Sequence, residues 1–140
     1  MPAEIFPVFR LNNMELEFLS PSEYYNIVLY QNKYQVIAKD EGLDSILIGI
    51  SRNGQIFYLD TEKSENDYAS YLASDLEIFR KETELFYNFI HNRPQDETEE
   101  ELKKFADEFR QQILQLDKNA FSDSENYWSV VAEELEWGVI

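Results

Sequence analysis

Cysteine is absent from the 140 residues, which removes disulfides, thiolate metal sites and a cysteine nucleophile together. Histidine occurs once, as His91, so no pair of imidazoles is available to a metal. Its place at the end of a helical pattern suits contact with the helix dipole or solvent better than proton transfer. The four glycines, Gly42, Gly49, Gly54 and Gly138, are scattered, so no glycine-rich loop is present to cradle a phosphate. A Gly-x-Ser-x-Gly nucleophile turn is missing too. No run approaches the ~18 to 20 apolar residues of a membrane-spanning helix. The opening Met1-Pro2-Ala3-Glu4 has neither the basic nor the apolar region of a signal peptide. Together with the missing cysteine, these features point to a cytoplasmic chain without membrane contact. Basic residues are also scarce, twelve Lys and Arg against twenty-eight Asp and Glu, and contact with nucleic acid needs a basic footprint. The pattern implies no cofactor, no metal and no catalytic role.

Aromatic residues, in contrast, are plentiful. Ten Phe, nine Tyr and two Trp contribute to a 44% hydrophobic chain, which is enough to build one core in a chain of ordinary domain size. Residues 1–140 are therefore expected to form a single domain. The net charge of −16 is unevenly spread: residues 1–60 hold eight acids against four bases, and residues 61–140 hold twenty against eight. Such a surface draws a basic protein from a distance, although acidity also serves solubility alone.

Along the chain, Met14, Leu16 and Phe18 alternate with Glu15 and Glu17 in the period of a half-buried strand. Ser20-Pro21-Ser22-Glu23 carries a helical start signal that supports one turn, because the β-rich run Ile27–Tyr30 follows. Gln31-Asn32-Lys33 reads as a turn before the strand Tyr34–Ala38, and Asp40-Glu41-Gly42 as the next turn. Ile46-Leu47-Ile48-Gly49-Ile50 is apolar on both faces and is expected to be a central strand. Asn53-Gly54 supplies the positive φ angles of a tight hairpin before the strand 55–60. Residues 61–71 read as a surface connection.

Helical spacing begins with Ser74 as cap and Leu76, Phe79, Phe86 and Ile90 on one face, with Leu72 and Thr83 beside it, ending before Pro94. Thr98 followed by Glu101 is a capping box for a helix striped by Leu102, Phe105, Phe109, Ile113 and Leu116. A loop at 117–123 precedes a last helix opened by Ser124, with Trp128, Val131 and Leu135 inward and Gly138 as its stop. The expected fold class is α+β: an antiparallel β-meander sheet packed with helices that lie mainly in the C-terminal half.

Candidate contact residues are the acids and tyrosines near turns. Asp40, Glu41, Asp44, Glu65, Asp67, Tyr68 and Tyr71 form the expected partner-binding set, since tyrosine beside acids offers area and a hydroxyl at low entropic cost. Asp40, Glu41 and Asp44 do not have the spacing of a twelve-residue calcium loop. The acids of 96–101 are a rival contact surface, although acids in a first helical turn also offset the helix dipole.

The order of these features resembles the SUKH superfamily of bacterial immunity proteins. Ile46–Asp60 is similar to its paired central strands, and Tyr71-Leu72-Ala73-Ser74-Asp75-Leu76-Glu77-Ile78-Phe79 to the entry into its main helix. The segments Leu116–Ala120, Tyr127–Val131 and Glu134–Gly138 resemble the fourth subgroup, so the likeness covers residues 24–138. Ala73 stands where the family usually has Asn, and Asn119 where proline is common. The resemblance implies a SUKH-like fold and a cytosolic antidote, monomeric or weakly self-associating, that binds and neutralises a cognate protein toxin. Such toxins are often nucleases and basic at the cleft. A regulatory or scaffold module binding an endogenous protein is the alternative, and a carboxylate-dependent enzyme the third reading.

Overall fold

The computed structural model describes residues 9–11, 14–40, 45–92 and 98–138. Among them, seven strands precede three helices: β1 (Phe9–Leu11), β2 (Met14–Phe18), a 3-10 turn (Pro21–Glu23), β3 (Tyr25–Leu29), β4 (Asn32–Asp40), β5 (Ile46–Ser51), β6 (Ile56–Asp60), β7 (Ala69–Ala73), α1 (Leu76–His91), α2 (Glu99–Leu116) and α3 (Tyr127–Glu136). All strand pairs are antiparallel, in the order β1-β2-β4-β5-β6-β7. The long strand β4 is shared along one side: β3 pairs with its first part and β2 with its last. The α+β class expected from the sequence is the observed one.

Two cores arise because strand side chains alternate between faces. On the helix-covered face, Ile37, Ala38, Ile46, Ile48, Ile56 and Leu72 meet Phe79, Phe86, Phe109, Trp128 and Val131. Rings of Phe86, Phe109 and Trp128 sit 5.6–6.1 Å apart in tilted and edge-on contacts, the separations favoured by aromatic quadrupoles. The opposite face carries a smaller cluster of Tyr34, Val36, Leu47, Leu59 and Tyr68. A register shift between Val36 and Ala38 interrupts the alternation of β4, and the consecutive residues Ile37 and Ala38 both join the helix-side cluster. β5 lies between β4 and β6, which accounts for its apolar character on both faces. Gly49 is required there: a Cβ would lie 2.8 Å from Leu59 Cδ1 and 3.1 Å from Tyr34 Cβ.

Several boundaries differ from the expected ones. The turn after β3 is Tyr30-Gln31, with φ of 49° and 70°, and Asn32 and Lys33 already pair with β3. This is the positive-φ geometry of a two-residue hairpin, made without glycine. In the β5–β6 turn only Gly54 is left-handed, at φ 86°, and Gly54 N–H donates to Ser51 O at 3.0 Å. The connection after β6 ends earlier than expected, because Ala69–Ala73 pairs with β6 as an edge strand. Leu72 thus belongs to the sheet.

Helix α1 is capped by Asp75, whose Oδ1 accepts from Ile78 N–H at 2.8 Å, while Ser74 is engaged elsewhere. Thr98 caps α2 as expected, accepting from Glu101 N–H at 3.2 Å. The last helix begins at Tyr127 behind Asn126, because Asp123 Oδ1 holds Glu125 N–H in a preceding turn at 2.8 Å. Gly138, at φ 72°, donates to Leu135 O and ends it. No helix of the described residues is long and apolar enough to cross a membrane.

Candidate partner-binding surface

The connection 61–68 is a chain of tight turns. Asp60 Oδ1 accepts from Glu62 N–H at 3.1 Å, and the N–H groups of Asp67 and Tyr68 both donate to Ser64 O. Ser64 Oγ adds a bond to Asp67 Oδ2 at 3.1 Å. At its ends the connection is tied to the sheet, Thr61 N–H donating to Ser45 O and Asp60 N–H to Tyr68 O, both at 2.8 Å. These bonds leave Glu62, Glu65 and Asp67 exposed, with Tyr68 turned inward.

Tyr68 is the anchor of this segment. It is 5% exposed, shares a 2.7 Å hydrogen bond with the Tyr34 hydroxyl and accepts from Asn32 Nδ2 at 3.0 Å. Tyr30 stacks on it with ring centroids 5.0 Å apart and donates its own hydroxyl to Lys63 O at 2.8 Å. The β3–β4 turn and the 61–68 connection are therefore fastened together. They present Tyr30, 44% exposed, against the connection at Lys63. Burial and the Tyr68 contact push the Tyr34 hydroxyl pKa up, so the Tyr34 hydroxyl keeps its proton at physiological pH.

The seven expected contact residues separate accordingly. Glu65 and Asp67 are exposed on one segment. Tyr68 is internal, a correction to its reading as a surface residue: its polar sequence neighbours belong to the turns, and its own ring fills the second core. Asp40 is likewise buried, 6% exposed, as the last residue of β4 opposite Leu16 of β2, not on the expected turn. Glu41 and Asp44 lie outside the described residues, as do Asp96 and Glu97 of the rival acidic run. Of that run, Glu99, Glu100 and Glu101 are exposed in the first turn of α2.

Tyr71 is half-buried and tied into a network that joins the sheet to the helices. Its hydroxyl donates to Asp117 Oδ2 at 2.6 Å. Asp117 also accepts from Ser74 N–H at 3.1 Å, Ser74 Oγ at 2.9 Å and Asn119 N–H at 3.0 Å. One carboxylate thus fixes the end of β7, the entry to α1 and the exit from α2. Burial, then the bond to Asp117, raise the Tyr71 hydroxyl pKa. Its role is internal, and its sequence position beside Ser70 and Ser74 gave no sign of that.

Glu82, passed over in the sequence, is a carboxyl held far above its ordinary range. It is fully enclosed, neither oxygen has a hydrogen bond of good geometry, and burial pushes its pKa up to about 9. Proximity to the Trp128 indole opposes the shift, and Asp117 and Asp75 add to it. A perturbed carboxyl in an open cleft is a candidate for acid–base work; this one has no exposed surface to offer a substrate.

The family model described as SUKH-4 immunity protein matches residues 14–134. No curated protein and no solved structure matches the chain.

Proposed function

The chain belongs to the SUKH-4 immunity protein family, and from that premise we propose that it binds a cognate protein toxin stoichiometrically and neutralises it. The family match over residues 14–134 carries this reading. The toxin domain is proposed to be basic, of the nuclease type, because the net charge of −16 suits a basic partner. The chain acts as a single domain in the cytoplasm, by occlusion and not by catalysis.

The contact surface is proposed to centre on the 61–68 connection and the β3–β4 turn. Glu62, Glu65 and Asp67 would speed the encounter, and Tyr30 would prolong the complex by burying an aromatic ring among desolvated neighbours. Tyr68 and Tyr34 hold that surface in shape from below. Pre-ordering of this kind lowers the entropic cost of association.

The test is co-expression with candidate toxin domains, followed by capture of the complex. Growth rescue with a one-to-one complex supports the reading. Capture of only an endogenous, non-toxic protein, with no rescue, replaces it with the regulatory module. Glu62→Lys, Glu65→Lys and Asp67→Lys together should cut affinity for the toxin at least tenfold while the circular dichroism spectrum is kept. Unchanged affinity moves the surface elsewhere, with exposed Glu99, Glu100 and Glu101 next in line.

A further inference from the structure

On the opposite face of the same hairpin, the described side chains form a small cleft with the other sign of charge. Asn26, Lys33, Gln35, Ile50, Ser51 and Arg52 line an open depression of about 310 Å³, in which Asn26, Lys33, Gln35 and Arg52 are exposed and Ile50 and Ser51 half-buried. Strand register explains its make-up. Asn26 pairs with Gln35 and Gln35 with Ile50, which makes one rank of side chains across β3, β4 and β5. The next rank on that face follows two residues along each strand. It holds Lys33, opposite Val28, and Arg52, one step beyond the pair Tyr34 and Ser51.

Lys33 and Arg52 are thus brought to one cleft in a chain with twenty-eight acids and twelve bases. Among the described residues, no acidic side chain lines the cleft and neither cation joins an ion pair, unlike Arg80, Lys103 and Arg110 on the helices. Like charges facing each other across strands are destabilising, so the arrangement has a cost that an external anion would offset. The remaining groups suit the same ligand. The Asn26 and Gln35 amides can turn N–H donors inward, and Ile50 supplies an apolar floor. Ser51 donates its hydroxyl to Asn53 Oδ1 at 2.6 Å, which leaves the donor role to the two cations and the amides.

We propose that this cleft binds a small molecule through one oxyanionic group, a carboxylate or a phosphate, held between Lys33 and Arg52 with the Asn26 and Gln35 amides. Arg52 grips the group with its planar fork, and Lys33 supplies a point charge. The site does not depend on toxin binding, which is assigned to the other face.

The experiment is a heteronuclear NMR titration of the full-length protein at constant ionic strength. Inorganic phosphate and glutarate serve as separate probes. Saturable shifts confined to residues 26, 33, 35 and 50–52 are expected with at least one probe, and the probe that binds tighter identifies the group. Lys33→Gln and Arg52→Gln should each weaken that binding at least tenfold. Arg52→Gln without ligand should melt no lower than the unsubstituted protein, because it relieves the like-charge pair, and it should lose the rise in melting temperature that the anion gives the unsubstituted chain. Shifts that do not saturate, shifts spread over exposed lysines such as Lys81 and Lys118, or equal affinity in the variants would each overturn the proposal.

Discussion

Glu82 is enclosed between α1 and the rest of the core without a well-placed hydrogen-bond partner, so its charged form is excluded and its proton is retained. Its carboxyl titrates near 9 in the folded chain against an ordinary 4.5. The folded state therefore holds the proton more tightly, and this residue's contribution to stability is full below about pH 4.5. It is lost progressively as pH rises towards about 9. Glu82→Gln keeps the shape without an ionisable group. It should raise stability at pH 8 by roughly 2–4 kcal/mol and have little effect at pH 4. Urea unfolding of both proteins across that range measures the difference, and parallel pH profiles would contradict it. Asp117 poses the opposite case, a buried carboxylate satisfied by four donors. Asp117→Ala should destabilise by about 3 kcal/mol, since it strands the Tyr71 hydroxyl and two backbone N–H groups. A loss below about 1 kcal/mol in the same assay would show that water replaces the carboxylate.

Among the elements, the β3–β4 hairpin shows where sequence reading succeeded and where it stopped. Strands β3 and β4 were legible from β-branched and aromatic residues, but the turn was placed on the polar Gln31-Asn32-Lys33. The chain instead turns at Tyr30-Gln31, because Tyr30 is held from outside by Tyr68 and Lys63 O, a tertiary contact that local propensity cannot show. The left-handed conformation of a non-glycine residue costs about 1–2 kcal/mol. Gln31→Gly should therefore stabilise the protein by about 1 kcal/mol, read as a rise in the urea midpoint; a fall would mean that the Gln31 side chain has a structural role. Strand β7 escaped notice because Ala69-Ser70-Tyr71-Leu72-Ala73 has no β-branched residue, and its pairing with β6 decides its state. Helices α1 and α2 were legible from their apolar stripes, with the α1 cap shifted by one residue because Asp117 engages Ser74. Of the contact set, exposure was read correctly at Glu65 and Asp67. It was misread at Asp40 and Tyr68, where polar neighbours concealed an inward-facing side chain.

For the molecule as a whole, charge is divided by element. Arg80, Lys103 and Arg110 are paired with acids on the helices, at 2.6–3.2 Å, while in the 61–68 connection the exposed acids Glu62, Glu65 and Asp67 outnumber the base Lys63. Exposed ion pairs of that kind contribute little to stability, and the acidic excess is better understood through the long-range field it creates. The acidity that disfavours nucleic acid thereby becomes the means by which this SUKH-4 family member is proposed to find its partner. The most direct test is the association rate with the cognate toxin, measured by stopped flow as salt is raised from about 20 to about 150 mM. The account predicts a fall of at least tenfold over that range with a much smaller change in dissociation rate. An association rate that does not change with salt would contradict it.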